Sequence, residues 1–376
     1  MDLLDIARIV AGLILLVAGG EVLVRGASSL ASRMGISPLV VGLTVVSVAT
    51  SAPELAVTVG AVLDGQPDLA VGNVVGSNIA NVLLILGIAA LVLPLAVREQ
   101  LVKIDVPVMV GLSVVLLLVA LDGRISTLEG GLLLLAMAVH TVVTVGAGRR
   151  AQRASVRKRR GAAAEDGGSR PLRVPVALLF VLLGVALLVG GANLLVAGAV
   201  SIAEGLGVSS LVIGLTVVAV GTSLPELAAS VIAAVRGERD LAVGNVVGSC
   251  IANIGLVLGL PALLAPGGLP VPAAAISLDI PILVATSIAL APVVLSGFTV
   301  TRWEGGLFVA LYLGYTAFVV LNATRHAALE GFETVMLFFV LPLVGLTLLV
   351  TAGLEMRTLA GRRRARVAHP AGDARP

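Results

Sequence analysis

The 376-residue chain contains little charge, few aromatic residues and one cysteine. Charged residues make up 12% of it, against roughly 25% in soluble domains. Cys250 alone can form neither an intramolecular disulfide bond nor a cysteine-rich metal cluster. The net charge is only +3, and the basic residues are confined to one loop and one tail instead of forming a folded patch. We therefore expect no nucleic-acid partner.

Apolar residues are abundant: 58% of the chain is hydrophobic and its mean hydropathy is +1.10. Apolar runs of about 20 residues recur along the sequence, long enough to cross a lipid bilayer as helices. A barrel would show shorter, alternating segments instead. The pattern predicts an all-α polytopic membrane protein. Its expected spans are 6–25, 38–63, 69–96, 104–121, 126–147, 174–198, 209–235, 241–266, 273–296, 304–322 and 331–354.

The basic residues predict the orientation of the chain in the membrane. They are concentrated in a linker at 148–173 and a tail at 357–376, and loops rich in Lys and Arg stay cytoplasmic. Five predicted spans precede the linker, which would place the N-terminus outside. The first apolar run lacks a basic flank, so we interpret it as a span and not as a cleavable signal. The Ala- and Arg-rich composition favours a prokaryotic plasma (inner) membrane.

An internal repeat predicts the fold. The 46 residues from Gly42 align without a gap with those from Gly214, a spacing of 172, and roughly two-thirds are identical. A repeat of five spans has an odd number of crossings, so its copy must enter the membrane upside down. The sequence predicts two inverted five-helix repeats, at 1–147 and 174–325, forming a ten-helix core with an eleventh helix in 326–356. Transporters of this kind bind their substrate at the midplane, where the halves meet.

Two glutamates and two prolines occupy matching positions in the repeats. Glu54 and Glu226 lie in apolar spans whose centres hold no Lys or Arg. A buried carboxylate there needs a cation or a proton to compensate its charge. Pro53 and Pro225 interrupt the same helices, and the backbone carbonyls that they release can bind a cation.

The surrounding polar residues recur at helical spacing. Thr50 and Glu54 are four residues apart, as are Thr222 and Glu226, and two further faces carry Asn73, Ser77 and Asn81 and then Asn245, Ser249 and Asn253. We expect Asn73 and Asn245 to be structural. Carboxylate, hydroxyl, amide and carbonyl oxygens suit a hard cation such as calcium, whereas softer metals prefer Cys and His. We interpret Cys250 and the three histidines, His140, His326 and His369, as non-ligands.

Asp105 and Asp279 form another repeated pair, each two residues before a proline. A short polar side chain just before a proline in the first turn is typical of a helix N-cap. We therefore predict that both aspartates cap the spans that follow them.

The motifs ATSAPE, GTSLPE, GNVVGSNIAN and GNVVGSCIAN resemble the two alpha-repeats of the calcium/cation antiporter superfamily, specifically its prokaryotic sodium/calcium exchangers. The resemblance covers about residues 5–325. It implies ten core helices and alternating access in which two gating helices slide against a bundle. It also implies cation ligands at Thr50, Ser51, Glu54, Ser77, Asn81, Thr222, Ser223, Glu226, Ser249 and Asn253. Calcium would be held chiefly by Glu54, Glu226, Thr50 and Thr222.

One position departs from the family pattern. Sodium/calcium members commonly carry Asp where Asn253 stands, so the predicted site holds two formal charges and not three. Calcium, two sodium ions or two protons would balance two glutamates, which leads us to expect reduced, even electroneutral, coupling. The leading interpretation is a monomeric antiporter that exchanges calcium for sodium, without an enzymatic activity or a cofactor beyond the transported ions. A calcium/proton exchanger is the alternative, and a channel-like cation pathway is a weaker one.

Overall fold

The computed structural model describes residues 3–159, 172–295, 297–347 and 350, and these form almost entirely helices. The helices are α1 (Leu3–Met34), α2 (Pro38–Thr50), α3 (Ala52–Leu63), α4 (Pro67–Val92), α5 (Leu101–Ala120), α6 (Thr127–Arg159), α7 (Val174–Gly205), α8 (Gly214–Gly221, continuing directly from the one-turn helix Ser210–Ile213), α9 (Leu224–Val235), α10 (Arg239–Leu264), α11 (Ala275–Leu295), α12 (Arg302–Ala323) and α13 (Leu329–Thr347).

Within the described residues, nine helices are long and apolar enough to cross a membrane, and two bent pairs raise the number to eleven. The predicted all-α polytopic architecture is confirmed. The span expected to end at 147 belongs to a longer helix, α6, which continues to Arg159. Of the predicted basic linker, 160–171 lie outside the described residues, as does the whole tail at 357–376.

The two helical breaks lie where the repeated prolines stand. Helices α2 and α3 meet at 43° around Ser51, and α8 and α9 meet at 54° around Thr222 and Ser223. Pro53 and Pro225 each occupy the first turn of the second helix of the pair. Proline fits there because a first-turn residue has no intrahelical partner for its N–H. Each break therefore places a new helix start inside the protein.

Helices α4 and α10 form the centre of the fold. In their apolar stretches 78% and 83% of residues are buried, against 28% for α1 and α7. Each central helix contains a wide, π-type turn, and the two turns begin at Asn81 and Asn253. Such turns are uncommon and occur frequently at functional sites.

Helices α1 and α7 pack antiparallel along the outside of this centre. An alanine Cβ at Gly12 would lie 2.7 Å from the carbonyl oxygen of Gly191, and one at Gly19 would lie 2.9 Å from that of Gly184. Residue numbers thus rise along one helix as they fall along the other. Small residues permit this close approach of two backbones in a membrane.

Four two-residue strands, too short to be recognised in the sequence, join the halves at their ends. They are β1 (Leu95–Ala96), β2 (Arg124–Ile125), β3 (Leu269–Pro270) and β4 (Thr299–Val300). Strand β1 pairs antiparallel with β4, and β2 with β3. Each pair contains one strand from each repeat, as expected when a two-fold axis exchanges the halves.

The predicted capping role of Asp105 and Asp279 is wrong. Helix α5 begins at Leu101 and α11 at Ala275, four residues before the respective aspartate. Asp105 therefore has helical backbone angles, and its side chain makes no capping hydrogen bond. Instead, Asp105 contacts His140 on α6, and Asp279 accepts a hydrogen bond from Tyr315 on α12.

Candidate cation-binding site

Glu54 and Glu226 lie in the first turns of α3 and α9, inside the protein. Their exposed fractions are 1% and 0%. The ion pairs among the described residues involve other carboxylates, so neither glutamate has a basic partner. The side-chain hydroxyl of Ser51 donates to Oε1 of Glu226 over 3.4 Å, which links the break of the first repeat to the glutamate of the second. Two carboxylates thus occupy the middle of the fold without a compensating side-chain charge.

Buried polar atoms without a hydrogen-bond partner are concentrated at the residues singled out in the sequence. Eleven such atoms occur in the described part of the chain, and seven belong to predicted ligands. These seven are Glu54 Oε2, Asn81 Oδ1, Ser223 Oγ, Glu226 Oε2, Ser249 Oγ, and Oδ1 and Nδ2 of Asn253. Each orphaned buried group costs about 1–3 kcal/mol unless an ion or water satisfies it. The set is dominated by oxygen atoms, as a hard-cation site requires.

The four predicted ligands Thr50, Ser51, Ser77 and Thr222 differ in their surroundings. Thr50 is fully buried, and its hydroxyl lies 3.2 Å from Oδ1 of Asn245 and 3.3 Å from the carbonyl oxygen of Ser47. Ser51 and Ser77 are also buried. Thr222, the counterpart of Thr50, is only half-buried, and its hydroxyl donates to the carbonyl oxygen of Ala219 on its own helix. The two halves of the site are therefore not equivalent.

Two asparagines hold the site together. Nδ2 of Asn73 donates to Oγ1 of Thr58 over 3.0 Å and to the backbone carbonyl of Glu54 over 3.2 Å. Nδ2 of Asn245 donates to Oγ of Ser230 over 3.0 Å. Both amides therefore brace the helices that carry the glutamates.

One polar residue at the centre of α4 was missed by the sequence reasoning. Asn78 is 0% exposed, and neither atom of its amide has a hydrogen-bond partner. Its counterpart in the second repeat is Cys250, whose thiol lies 3.9 Å from the backbone carbonyl of Asn78. The available signal was its position inside the GNVVGSNIAN motif, between Ser77 and Asn81.

Comparison with known proteins matches residues 4–146 and 176–321 to the family described as "Sodium/calcium exchanger protein". The chain belongs to the sodium/calcium exchanger family. This exchanger is 39% identical over 312 residues to "Putative antiporter CaxA" of Alkalimonas amylolytica, covering 82% of the chain and 96% of that protein. It is 34% identical over 350 residues to "Sodium/calcium exchanger MaX1" of Methanosarcina acetivorans, covering 82% and 95%.

Solved structures agree with the family assignment. The structure of the sodium-calcium exchanger NCX_Mj soaked with 10 mM Na⁺ and 10 mM Sr²⁺ aligns with a TM-score of 0.70 and 32% identity, over 86% of this chain and 99% of that one.

The "Inner membrane protein YrbG" of Escherichia coli is 42% identical over 271 residues, covering 70% of the chain and 81% of that protein. This exchanger is thus a multi-pass membrane protein of a transporter family.

The donor set of the exchanger fits a transported ion. No group of three or more His, Cys, Asp or Glu side chains with metal-binding geometry occurs in the described residues. The site instead combines two carboxylates with neutral hydroxyl and amide oxygens. Few charged ligands mean weaker binding of a divalent ion, since affinity follows ligand charge and site rigidity. Such a donor set is compatible with a cation that is bound reversibly.

Proposed function

We propose that this exchanger moves calcium across the plasma membrane in exchange for sodium, with Glu54 and Glu226 as the central ligands. One observation carries the proposal: two buried carboxylates without a basic partner lie among buried oxygen atoms that have no hydrogen bond. A divalent cation bound between the glutamates would neutralise both charges and satisfy the orphaned oxygens.

The remaining ligands complete the proposed site around this pair. Each repeat would contribute the two residues at its helix break and two from its central helix. In the first repeat these are Thr50, Ser51, Ser77 and Asn81, and in the second they are Thr222, Ser223, Ser249 and Asn253. Burial and amide atoms without a hydrogen-bond partner support the assignment of the two asparagines, Asn81 and Asn253.

Charge balance leads us to propose an electroneutral cycle. The site carries two negative charges, since both Asn81 and Asn253 are neutral. One calcium ion or two sodium ions would balance them. Three sodium ions would leave a net charge of +1 in a region of low dielectric constant, which is unfavourable.

Protons are the second candidate for the driving ion. Two protons would neutralise Glu54 and Glu226 as completely as two sodium ions, and the missing third carboxylate favours this reading. The buried serine hydroxyls at 51, 77, 223 and 249 favour sodium, because they add neutral oxygen ligands that a proton does not need.

An asymmetry between the two repeats supports transport by alternating access. Helix α2 packs tightly on α10: an alanine Cβ at Gly42 would lie 2.7 Å from the carbonyl oxygen of Leu241, and one at Gly248 would lie 2.7 Å from Cα of Leu43. The counterparts of these glycines, Gly214 and Gly76, have no atom within 4 Å of such a Cβ. At these two glycines, α8 therefore lacks the close contact with α4 that α2 makes with α10. If α8 packed closely on α4 and α2 moved away from α10, the site would open to the opposite side of the membrane.

The proposed orientation places the N-terminus outside and the closed α2–α10 contact on the cytoplasmic side. The single cysteine is buried, so the natural chain gives little background in thiol labelling. Gln66→Cys in the loop after α3 should react with a membrane-impermeant maleimide in intact cells. Glu99→Cys in the loop after β1 should react only after permeabilisation. The reverse labelling pattern would show that the chain has the opposite orientation in the membrane.

We further propose a monomer, which light scattering of the purified protein would test.

Calcium-45 uptake into proteoliposomes tests the function. Vesicles preloaded with sodium are compared with choline-loaded vesicles at fixed pH. We expect sodium-dependent uptake that Glu54→Gln and Glu226→Gln each reduce to the level of empty liposomes. The matched control is Glu304→Gln: Glu304 is also buried but closes a capping box with Thr301, where Gln serves equally well.

Each other outcome of this assay has a definite meaning. Uptake driven by a pH gradient and indifferent to sodium would assign the proton-coupled alternative. Uptake that needs no counter-ion would indicate a channel-like pathway. Glutamate variants with normal uptake would rule out the proposed site.

A further inference from the structure

The contact between α1 and α9 lacks an equivalent at the matching place in the other half of the fold. An alanine Cβ at Gly20 on α1 would lie 2.3 Å from Cδ1 of Ile232 on α9. The counterpart of Ile232 is Gly60 on α3, where an added Cβ would meet no atom within 4 Å. Helix α1 therefore packs closely on α9, whereas α3 has no close neighbour at this position. The same asymmetry distinguishes the α2–α10 contact from α8 and α4.

Two side-chain contacts join α1 to the end of α9, beside this packed surface. Nε of Arg236 donates to Oε1 of Glu21 over 2.8 Å, and Nη2 of the same guanidinium lies 2.5 Å from Oε2 of Glu21. Paired contacts between arginine and a carboxylate are stronger and more directional than a single contact. Two residues further along the chain, Oε1 of Glu238 accepts a hydrogen bond from the hydroxyl of Ser28 over 2.8 Å. We call these four residues the latch.

The other half of the fold has the wrong residues for a second latch. The counterparts of Glu21, Ser28, Arg236 and Glu238 are, in this order, Asn193, Val200, Asp64 and Gln66. Asn193 carries no charge and cannot form an ion pair with Asp64. Val200 has no polar side-chain atom that could bind Gln66. The latch is therefore available to only one of the two equivalent helix contacts.

Helices α1 and α7 are joined to each other at both ends, in addition to their close backbone contacts. Near the start of α1, Oδ2 of Asp5 accepts a hydrogen bond from the hydroxyl of Ser201 over 2.9 Å. One turn beyond Glu21, the guanidinium of Arg25 lies 5.9 Å from the ring centre of Phe180 on α7. A cation over an aromatic ring at this distance is attracted to it. Whatever holds α1 in place therefore also holds α7.

We propose that the latch stabilises the described conformation over the one in which the two halves have exchanged their contacts. The inference rests on the proposed function, because this exchange is the step that alternating access requires. A contact that exists in only one of two conformations shifts their ratio by its own free energy. The side chains of Arg236 and Glu21 are 58% and 39% exposed, so water weakens their attraction. Pairs of this kind change an equilibrium constant by up to about fivefold.

Distances between two spin labels, measured by double electron–electron resonance in calcium-free choline buffer, test the latch without any transport. The labels are attached at Asp64→Cys and Asn193→Cys, the counterparts of the ion pair, and the natural Cys250 is buried. The exchanged conformation should bring these labels closer together than the described one. We expect Glu21→Gln and Ser28→Ala each to raise the ratio of the shorter to the longer distance by about two- to fivefold. An unchanged ratio in Glu21→Gln would overturn the proposal.

Two further variants serve as matched controls. Arg98→Gln breaks another exposed ion pair, in which Nε of Arg98 lies 2.5 Å from Oδ2 of Asp240. That pair joins the loop after β1 to α10 and does not involve α1, so the ratio should stay natural. Reversing the charges in a double variant, Glu21→Arg with Arg236→Glu, should restore the ratio that either single change raises. An equal rise in Arg98→Gln, or no recovery in the double variant, would contradict the latch.

Salt provides a second test on the same labelled preparations. Raising choline chloride from about 0.05 M to about 0.5 M screens exposed charges, so the ratio should rise in the natural chain and stay nearly constant in Glu21→Gln. A natural chain that does not respond to salt would rule out the ionic part of the latch. Calcium-45 uptake, measured separately, keeps the two proposals apart. Absence of uptake in the natural protein would refute the proposed function, whereas the label distances would still show whether the latch selects between two conformations.

Discussion

Ser113 on α5 and Ser287 on α11 contact each other through their side-chain oxygens, 3.1 Å apart. The two serines are counterparts in the two repeats, separated by the same 174 residues that separate Asp105 from Asp279. A residue that touches its own counterpart must lie close to the axis that exchanges the halves. The contact of Cys250 with Asn78, also counterparts, marks a second point near this axis.

The serine contact should contribute modestly to stability. We expect a double-mutant cycle of Ser113→Ala and Ser287→Ala to give a coupling energy of about 0.6 kcal/mol, since hydrogen bonds between membrane helices have alternatives in the unfolded state. Unfolding in mixed detergent measures it. Strictly additive single effects would show that the contact carries no energy.

Two asparagines on one face of α4 should behave differently when truncated. Asn73→Ala removes the donor of two hydrogen bonds and should destabilise the protein by about 1–3 kcal/mol. Asn81→Ala removes an oxygen that has no partner, so it should cost less stability and instead weaken calcium uptake. Thermal unfolding and calcium-45 uptake of both variants separate the effects. The reverse assignment would contradict the proposed ligand set.

The repeated glycines offer a second matched pair. In Gly248→Ala the added Cβ would lie 2.7 Å from Cα of Leu43 on α2. We expect this substitution to destabilise the described conformation by about 1–3 kcal/mol. Gly76→Ala meets no atom within 4 Å and should leave stability equal or raise it by up to about 1 kcal/mol.

Transport should respond to Gly76→Ala in spite of its unchanged stability. If α8 closes onto α4 during the cycle, the added methyl group would obstruct that closure and reduce calcium-45 uptake. Unfolding and uptake measured on the same preparations provide the comparison. A stable Gly76→Ala variant with natural uptake would argue against the exchange of contacts between the repeats.

Asn253→Asp should change the electrical character of transport. The natural site has two carboxylates, so calcium uptake into sodium-loaded vesicles should be indifferent to an imposed membrane potential. A third carboxylate would balance three sodium ions, and uptake should then accelerate when a potassium gradient with valinomycin makes the vesicle interior positive. The same vesicles without the potassium gradient are the control. Potential-driven uptake by the natural protein would refute electroneutral exchange.

Several features followed from local properties of the sequence. Membrane spans depend on the composition of about 20 consecutive residues, and the bends at Pro53 and Pro225 depend on a missing N–H, so both could be read without a structure. The eleven spans are present in the described residues when each bent pair counts as one. The near-identity of the repeats likewise singled out Glu54 and Glu226, which are buried without a basic partner.

Contacts between distant segments could not be read in this way. The pattern around Asp105 is that of a helix start, yet the helix begins four residues earlier and the carboxylate meets His140, 35 residues away. From the sequence, His140 is interpreted only as a non-ligand. Its contact with Asp105 depends on how α5 packs against α6, which the sequence of neither helix specifies.

The sequence by itself determined the spans, the repeat and the paired oxygen-bearing residues, because these depend on the chain's local chemistry. Only the tertiary structure decided that the two repeats differ. Gly76 and Gly248 stand in the same motif, yet one faces open space and the other touches a backbone. Two nearly identical segments acquire different neighbours because only one of the two equivalent helix contacts is closed in this conformation.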